Sequence, residues 1–187
     1  MQKSDFSLKK SKINEAGCEE TTMFTAEVFY GNKLVAYVKN DGRGGSHNYH
    51  AYETRQLLKE SEEWAEKQPE KVYGKGEDQF SFKYSLDSLV DELIEAEDAK
   101  KFIKKIDKLA EKAIVFGNAD YSGPITSVKF RSPIAEMLMT PERKAVVYNE
   151  YLKIKRELKK GQVILNKNLG FDVKNINQLI AEHVKVK

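Results

Sequence analysis

Between Thr22 and Lys39 an alternation of apolar and more polar residues runs up to Gly31-Asn32 and an apolar run follows it, and this pattern restricts the fold more than any other stretch of the chain. Phe24, Ala26, Val28 and Tyr30 recur with a period of two, and Leu34 to Val38 form a second run. Gly31-Asn32 between them tolerates the positive φ angles of a tight hairpin turn. A two-residue turn pairs Tyr30 with Lys33, Val28 with Val35 and Ala26 with Tyr37 on one face. The other face then sets Phe29 opposite Leu34, Glu27 opposite Ala36 and Thr25 opposite Val38. Both faces are too apolar for a free ribbon, so the hairpin belongs to a larger sheet.

Helical spacing supplies what covers that sheet. Ala51 to Lys67 carries Tyr52, Leu57, Leu58, Trp64 and Ala65, and Pro69 with Gly74 and Gly76 ends it. Gln79 to Tyr84 reads as a short strand. From Leu86 to Ala113 the apolar positions again follow a helix, either continuous or bent at the charged stretch Glu95 to Lys101. Ala113 to Phe116 and Thr126 to Phe130 read as strands, and a short helical segment follows from Pro133 to Met139. Thr140-Pro141-Glu142 is a helix start, because threonine caps amides, proline fits the first turn and glutamate suits the positive helix end. That helix is expected to run to about Lys160, with Gln162 to Leu165 a final strand and Val173 to Val184 a last helix. The order implies an α+β fold: a polar segment over residues 1–21, then a single compact domain over 22–187, with the hairpin in a mixed sheet packed by several helices.

Composition narrows the setting. With 187 residues, 40% hydrophobic and 33% charged, the chain is sized for one ordered domain. No apolar run approaches the length of a membrane-spanning helix, and the charged first twenty residues lack a secretory apolar segment. The single cysteine, Cys18, has no internal disulfide partner, which points to the cytosol. As a nucleophile it has no neighbouring base in sequence. The formal charge of +3 is uneven: residues 140–187 hold eleven Lys and Arg against five Asp and Glu. This basic end allows weak nucleic-acid binding, although Val147, Tyr151, Ile154 and Leu158 form a buried stripe that makes Tyr148 and Tyr151 packing residues.

The densest candidate site is the loop Asn40, Asp41, Gly42, Arg43, Gly44, Gly45, Ser46 and His47. Its glycines let the backbone approach a ligand, and free amides, Arg43 and a following helix N-terminus together suit a phosphate or carboxylate. The spacing matches neither nucleotide-binding fingerprint, because Gly-Lys-Ser or Gly-Lys-Thr is missing and His47 stands where Gly-x-Gly-x-x-Gly needs its last glycine. The competing reading is a tight connection that needs only glycine angles. His47 and His50 make an incomplete metal site, so no metal or other cofactor is expected. Asp87 and Asp91, four apart, share a helical face, where ordinary helix electrostatics accounts for them.

Phe24-Thr25-Ala26, the hairpin, and then Asn40-Asp41-Gly42-Arg43-Gly44-Gly45 resemble a group of small uncharacterised proteins encoded by bacteriophages and plasmids, in which a strand pair runs into an Asn-Asp-Gly-x-Gly-Gly loop. The resemblance covers residues 22–50 and implies a mobile-element setting, hence the host cytoplasm. No catalytic constellation is legible in the sequence. The expectation is therefore a non-enzymatic binding protein acting through a host or phage protein or nucleic acid. The alternative is a small enzyme or ligand-binding protein that handles a phosphate-bearing molecule at Asn40 to His47.

Overall fold

The hairpin forms as two antiparallel strands, β2 (Phe24–Tyr30) and β3 (Lys33–Asn40), in the computed structural model of the chain, which describes residues 1–74 and 76–170. Next to the turn its pairs are the expected ones, Tyr30 with Lys33 and Phe29 with Leu34. Beyond them the register shifts by one, so that Val28 faces Ala36, Glu27 faces Tyr37, Ala26 faces Val38 and Thr25 faces Lys39. The cause is a β-bulge that leaves Val35 as an extra residue in β3. The expected pairs Val28 with Val35, Ala26 with Tyr37, Glu27 with Ala36 and Thr25 with Val38 are thereby replaced. The bulge sorts the side chains: Val35, Ala36 and Val38 are buried, while Tyr37 and Lys39 face solvent. The hydroxyl of Thr54 donates to the Val35 carbonyl at 2.7 Å, supplying a donor for the carbonyl of the bulged residue.

Strand β1 (Phe6–Ile13) pairs with the free edge of β2. It lies inside the 1–21 stretch that the sequence marks only as polar. Phe6 and Leu8 pack in the core while Ser7 and Lys9 sit opposite Phe29 and Glu27, but a second bulge between Lys9 and Lys12 interrupts the alternation, and there Lys10 adopts a φ of +52°. On the other edge β4 (Asn48–His50) pairs with β3, giving the order β1-β2-β3-β4. Phe24, Val28, Val35 and Val38 on the inner face pack with α1 (Arg55–Glu66) and with Leu86, Leu89, Val90 and Ile94 of α2 (Leu86–Ala110). Each large side chain buried there contributes about 1.5–3 kcal/mol. A separate hairpin, β5 (Lys71–Tyr73) with β6 (Phe80–Phe82), lies between the two helices in sequence.

The contacts divide the chain into two compact units, residues 1–100 and 101–187, with the boundary inside α2, which is a single helix through its charged middle. In the second unit β7 (Ala113–Asn118) is flanked by β8 (Thr126–Lys129) and β9 (Gln162–Ile164). Ala113 and Val115 pack with Ile106 and Ala110, whereas Ile114 and Phe116 belong to a cluster with α3 (Ile134–Met137) and α4 (Pro141–Glu157). Two covered faces explain why β7 begins as an unbroken apolar run. On α4 Tyr148 is buried and stacks on Tyr151 with ring centroids 6.3 Å apart, as packing residues do. The expected last helix, Val173 to Val184, lies outside the described residues.

The fold is α+β, and the hairpin sits in a larger sheet. The strands, whose order implied one mixed sheet, are shared among three sheets, and every pair between described strands is antiparallel. Among the described residues no helix is long and apolar enough to cross a membrane.

Candidate functional site

Gly42, Gly44 and Gly45 all adopt positive φ, at +83°, +85° and +83°, so the loop depends on glycine as its composition implies. Four of its amides are nonetheless engaged within the protein. Gly42 N–H donates to Asn40 Oδ1 at 2.8 Å and Arg43 N–H to Asp41 Oδ1 at 3.2 Å, two successive Asx turns. Gly44 N–H donates to Thr21 Oγ1 at 3.2 Å, and His47 N–H to Asp87 Oδ2 at 3.1 Å. The Gly42 carbonyl accepts the amides of Glu19, Glu20 and Thr21 at 3.0, 2.8 and 3.1 Å. The loop is followed by β4, with α1 starting only at Arg55, so the helix N-terminus anticipated directly after it is not there. Four of the loop amides that favoured an anion here are thus occupied, and the helix end is displaced.

The same residues build a buried polar relay. Asn40 Oδ1 accepts from Gly42 N–H and from the Thr21 hydroxyl, at 2.9 Å for the latter, which fixes the amide orientation and turns Nδ2 toward His47 Nδ1 at 3.0 Å. His47 Nδ1 therefore accepts, and the ring proton resides on Nε2, which donates to Asp91 Oδ1 at 3.0 Å. The imidazole is only 5% exposed and meets Phe24 edge-on at 5.0 Å. Tyr49 donates to Asp87 Oδ1 at 2.8 Å; burial first, and then the Asp87 carboxylate, push its phenol far above the ordinary value and keep it protonated. With both ring nitrogens consumed, His47 has no lone pair for a substrate proton, and the arrangement is a latch between loop and helix. Asp87 and Asp91, which helix electrostatics alone seemed to explain, are the helix side of that latch.

His47 and His50 do not converge. His47 turns toward Asp87 and Asp91, while His50 pairs with Tyr37 on the opposite side of the sheet. Among the described residues no group of three or more His, Cys, Asp and Glu could hold a metal ion. Of the remaining loop residues, Asp41, Arg43 and Gly45 are exposed, and Arg43 stands 3.9 Å from Glu19. Cys18 is exposed; its thiol donates to the Asn14 carbonyl at 3.3 Å and accepts Met23 N–H at 3.2 Å.

The outer face of the four-stranded sheet is chemically distinct from the loop. Register places Lys12, Thr25, Lys39 and Asn48 in one row across the strands, and Lys9, Glu27, Tyr37 and His50 in the next. The bulge in β1 brings Lys10 to Glu27 at 2.8 Å, covering the carboxylate, while Lys9 lies 3.9 Å from the centre of the Phe29 ring. Two depressions of about 340 and 380 Å³ adjoin here and share Lys12, Thr25 and Lys39 as walls. Lys10, Tyr37 and His50 line the first, and Asn40, Asp41 and Asn48 the second. Sequence reasoning missed this surface because the lysines of β1 lie in a segment read as polar lead-in. The available signal was the alternation of Tyr37 and Lys39 with buried Val38.

A second polar cluster ties the amino terminus and the small hairpin to α2. Lys3, Lys71 and Tyr84 all reach the Glu92 carboxylate, Lys71 at 3.3 Å and Tyr84 at 3.0 Å. Burial acts to raise the Glu92 pKa, but the bonds from Lys3, Tyr84 and Lys71 outweigh it and hold the carboxyl below its usual range.

No protein family, curated protein or solved structure matches this chain.

Proposed function

We propose that the chain is a non-enzymatic binding protein that engages nucleic acid through the outer face of its four-stranded sheet. The observation that supports this reading is the convergence of Lys9, Lys10, Lys12 and Lys39 on one face whose sole strand carboxylate, Glu27, is already paired with Lys10. Lysines held in fixed rows beside concave depressions match the charge of a phosphate backbone. The phage or plasmid setting implied by the Asn-Asp-Gly-x-Gly-Gly resemblance accords with such a role. The small-enzyme alternative at Asn40 to His47 is less favoured, since four of the loop amides and both ring nitrogens of His47 serve internal bonds.

The test is a salt series with a labelled oligonucleotide, read by fluorescence anisotropy. For single strands the slope of log affinity against log salt is about −0.7 per phosphate neutralised, so Lys9, Lys12 and Lys39, without the Glu27-paired Lys10, give roughly −2. Lys12→Glu with Lys39→Glu should weaken binding and flatten that slope at unchanged circular dichroism. Arg156→Glu with Lys160→Glu should leave it intact. Lack of wild-type binding at low salt, or loss of binding only in the second pair, overturns the proposal.

A second reading, contact with a host or phage protein, is favoured by the small hairpin. Tyr73, Phe80 and Phe82 share one face of it, with Tyr73 stacked on Phe80 at 5.7 Å, and all three are exposed. Exposed aromatic patches of this kind mark interaction sites. Phe80→Ser with Phe82→Ser should abolish a stoichiometric protein complex that the wild type forms, and a complex that persists in this variant refutes the reading.

A further inference from the structure

The outer sheet face also carries information on which nucleic acid fits it, and this step rests on the nucleic-acid reading above. Tyr37 is 50% exposed near the middle of β3, with Lys39 two residues along the strand and Lys12 across β2 from Lys39. We propose that this face takes single-stranded nucleic acid, with a base stacked on the Tyr37 ring and the neighbouring phosphates on Lys12 and Lys39.

Three physical considerations lead there. A duplex is most often read by an element that projects into a groove, such as a helix or a ribbon, whereas Lys12, Lys39 and Tyr37 of this surface line depressions on a sheet face. In a duplex every base has both faces covered by its neighbours, so an exposed aromatic ring gains nothing from it; an unstacked base offers a free π-face to such a ring. Spacing agrees as well. Tyr37 and Lys39 are two residues apart along a strand, a rise of about 6.6 Å. That is roughly twice the 3.4 Å per nucleotide of each strand in a duplex, and it suits an extended chain. The depressions on either side of the Lys12, Thr25 and Lys39 row give the backbone a path between the two lysines.

The experiment compares a short oligothymidylate, an oligouridylate of the same length and a blunt duplex of that length, at one low salt concentration and across a salt series. The single strands should bind more tightly than the duplex, and the two sugars run in parallel distinguish deoxyribose from ribose strands. Tyr37→Ala should weaken single-strand binding about 5- to 150-fold, the range expected for losing one stacked base. Its salt slope should remain that of the wild type, because no phosphate contact is removed, and Tyr37→Phe should restore most of the affinity. Thermal unfolding of each variant checks that the exposed position has not altered the fold. Equal binding of duplex and single strands, or unchanged affinity in Tyr37→Ala, overturns the stacking proposal; if the Lys12 and Lys39 reversal still abolishes binding, the broader nucleic-acid reading survives. Failure of the wild type to bind any of the three probes overturns both.

Discussion

Gly42 and Gly45 share the same φ of +83°, yet an added methyl meets very different surroundings. At Gly45 nothing lies within 4 Å of an ideal Cβ, so Gly45→Ala costs only the left-handed backbone term, about 1–2 kcal/mol. At Gly42 the Cβ would stand 2.1 Å from the Gly17 carbonyl oxygen and 3.0 Å from Met23 Cβ. The two segments have to separate, and the bonds nearest the clash are those from the amides of Glu19, Glu20 and Thr21 to the Gly42 carbonyl. Losing two of these at about 0.5–1.5 kcal/mol each, on top of the same backbone term, brings Gly42→Ala to about 2–5 kcal/mol.

Urea unfolding followed by Trp64 fluorescence reads this difference, because Trp64 is the single tryptophan and packs against the core of the first unit. With a slope of about 1–3 kcal/mol per molar urea, Gly42→Ala should lower the midpoint roughly twice as far as Gly45→Ala. Should the loop open without global unfolding, the amides of Glu19, Glu20 and Thr21 should exchange faster in Gly42→Ala alone. Equal midpoints together with unchanged exchange at those amides would refute the proposed contact between the glycine loop and residues 17–23.

The Glu92 cluster predicts an acid limb. A carboxyl whose folded pKa is depressed stabilises the fold above its unfolded value, near 4.5, and loses that contribution as pH falls through the lower folded value; Glu92→Gln should therefore flatten the acid side of a stability profile. Lys3, raised chiefly by its bond to Glu92, and Lys71, raised by Tyr73 and then Glu92, are lost in the opposite direction, as pH climbs above about 10.5, so a profile that declines between pH 6 and 9 on account of this cluster would contradict the assignment. For His47 the Asn40 orientation requires the Nε2–H tautomer, which nitrogen chemical shifts report directly; a proton found on Nδ1 would mean that the Asn40, Thr21 and Gly42 bonds are wrongly assigned.

The parts legible in the sequence were those set by local chemistry. The hairpin followed from its period of two and from Gly31-Asn32, and the positive φ angles of the loop followed from Gly42, Gly44 and Gly45. What a glycine loop does with those angles was less open than it looked. Asn40 and Asp41 stand two residues ahead of Gly42 and Arg43, the spacing at which Asx side chains bond to backbone amides, so the sequence already held the acceptors that occupy two of them. The bulge at Val35 was not legible, because an extra residue in β3 is favoured by burial of Val35, Ala36 and Val38 and by the hydroxyl of Thr54, a partner nineteen positions away.

That one-residue shift decides the chemistry of the outer sheet face. In an unbroken register Tyr37 would lie opposite Ala26 on the inner side; the bulge turns it outward, opposite Glu27, and sets Lys39 opposite Thr25 in line with Lys12. Net charge gives no hint of the result, since residues 1–139 hold more acidic than basic side chains while the face carries Lys9, Lys10, Lys12 and Lys39 against one paired glutamate. Charge summed along the chain ignores which side of a strand a residue occupies, and a sheet groups residues by side. The residues that best support a binding function here come from β1 and β3, and β2 lies between them. Strand pairing, with a bulge on each side of β2, is therefore what creates the surface, and neither strand alone contains it.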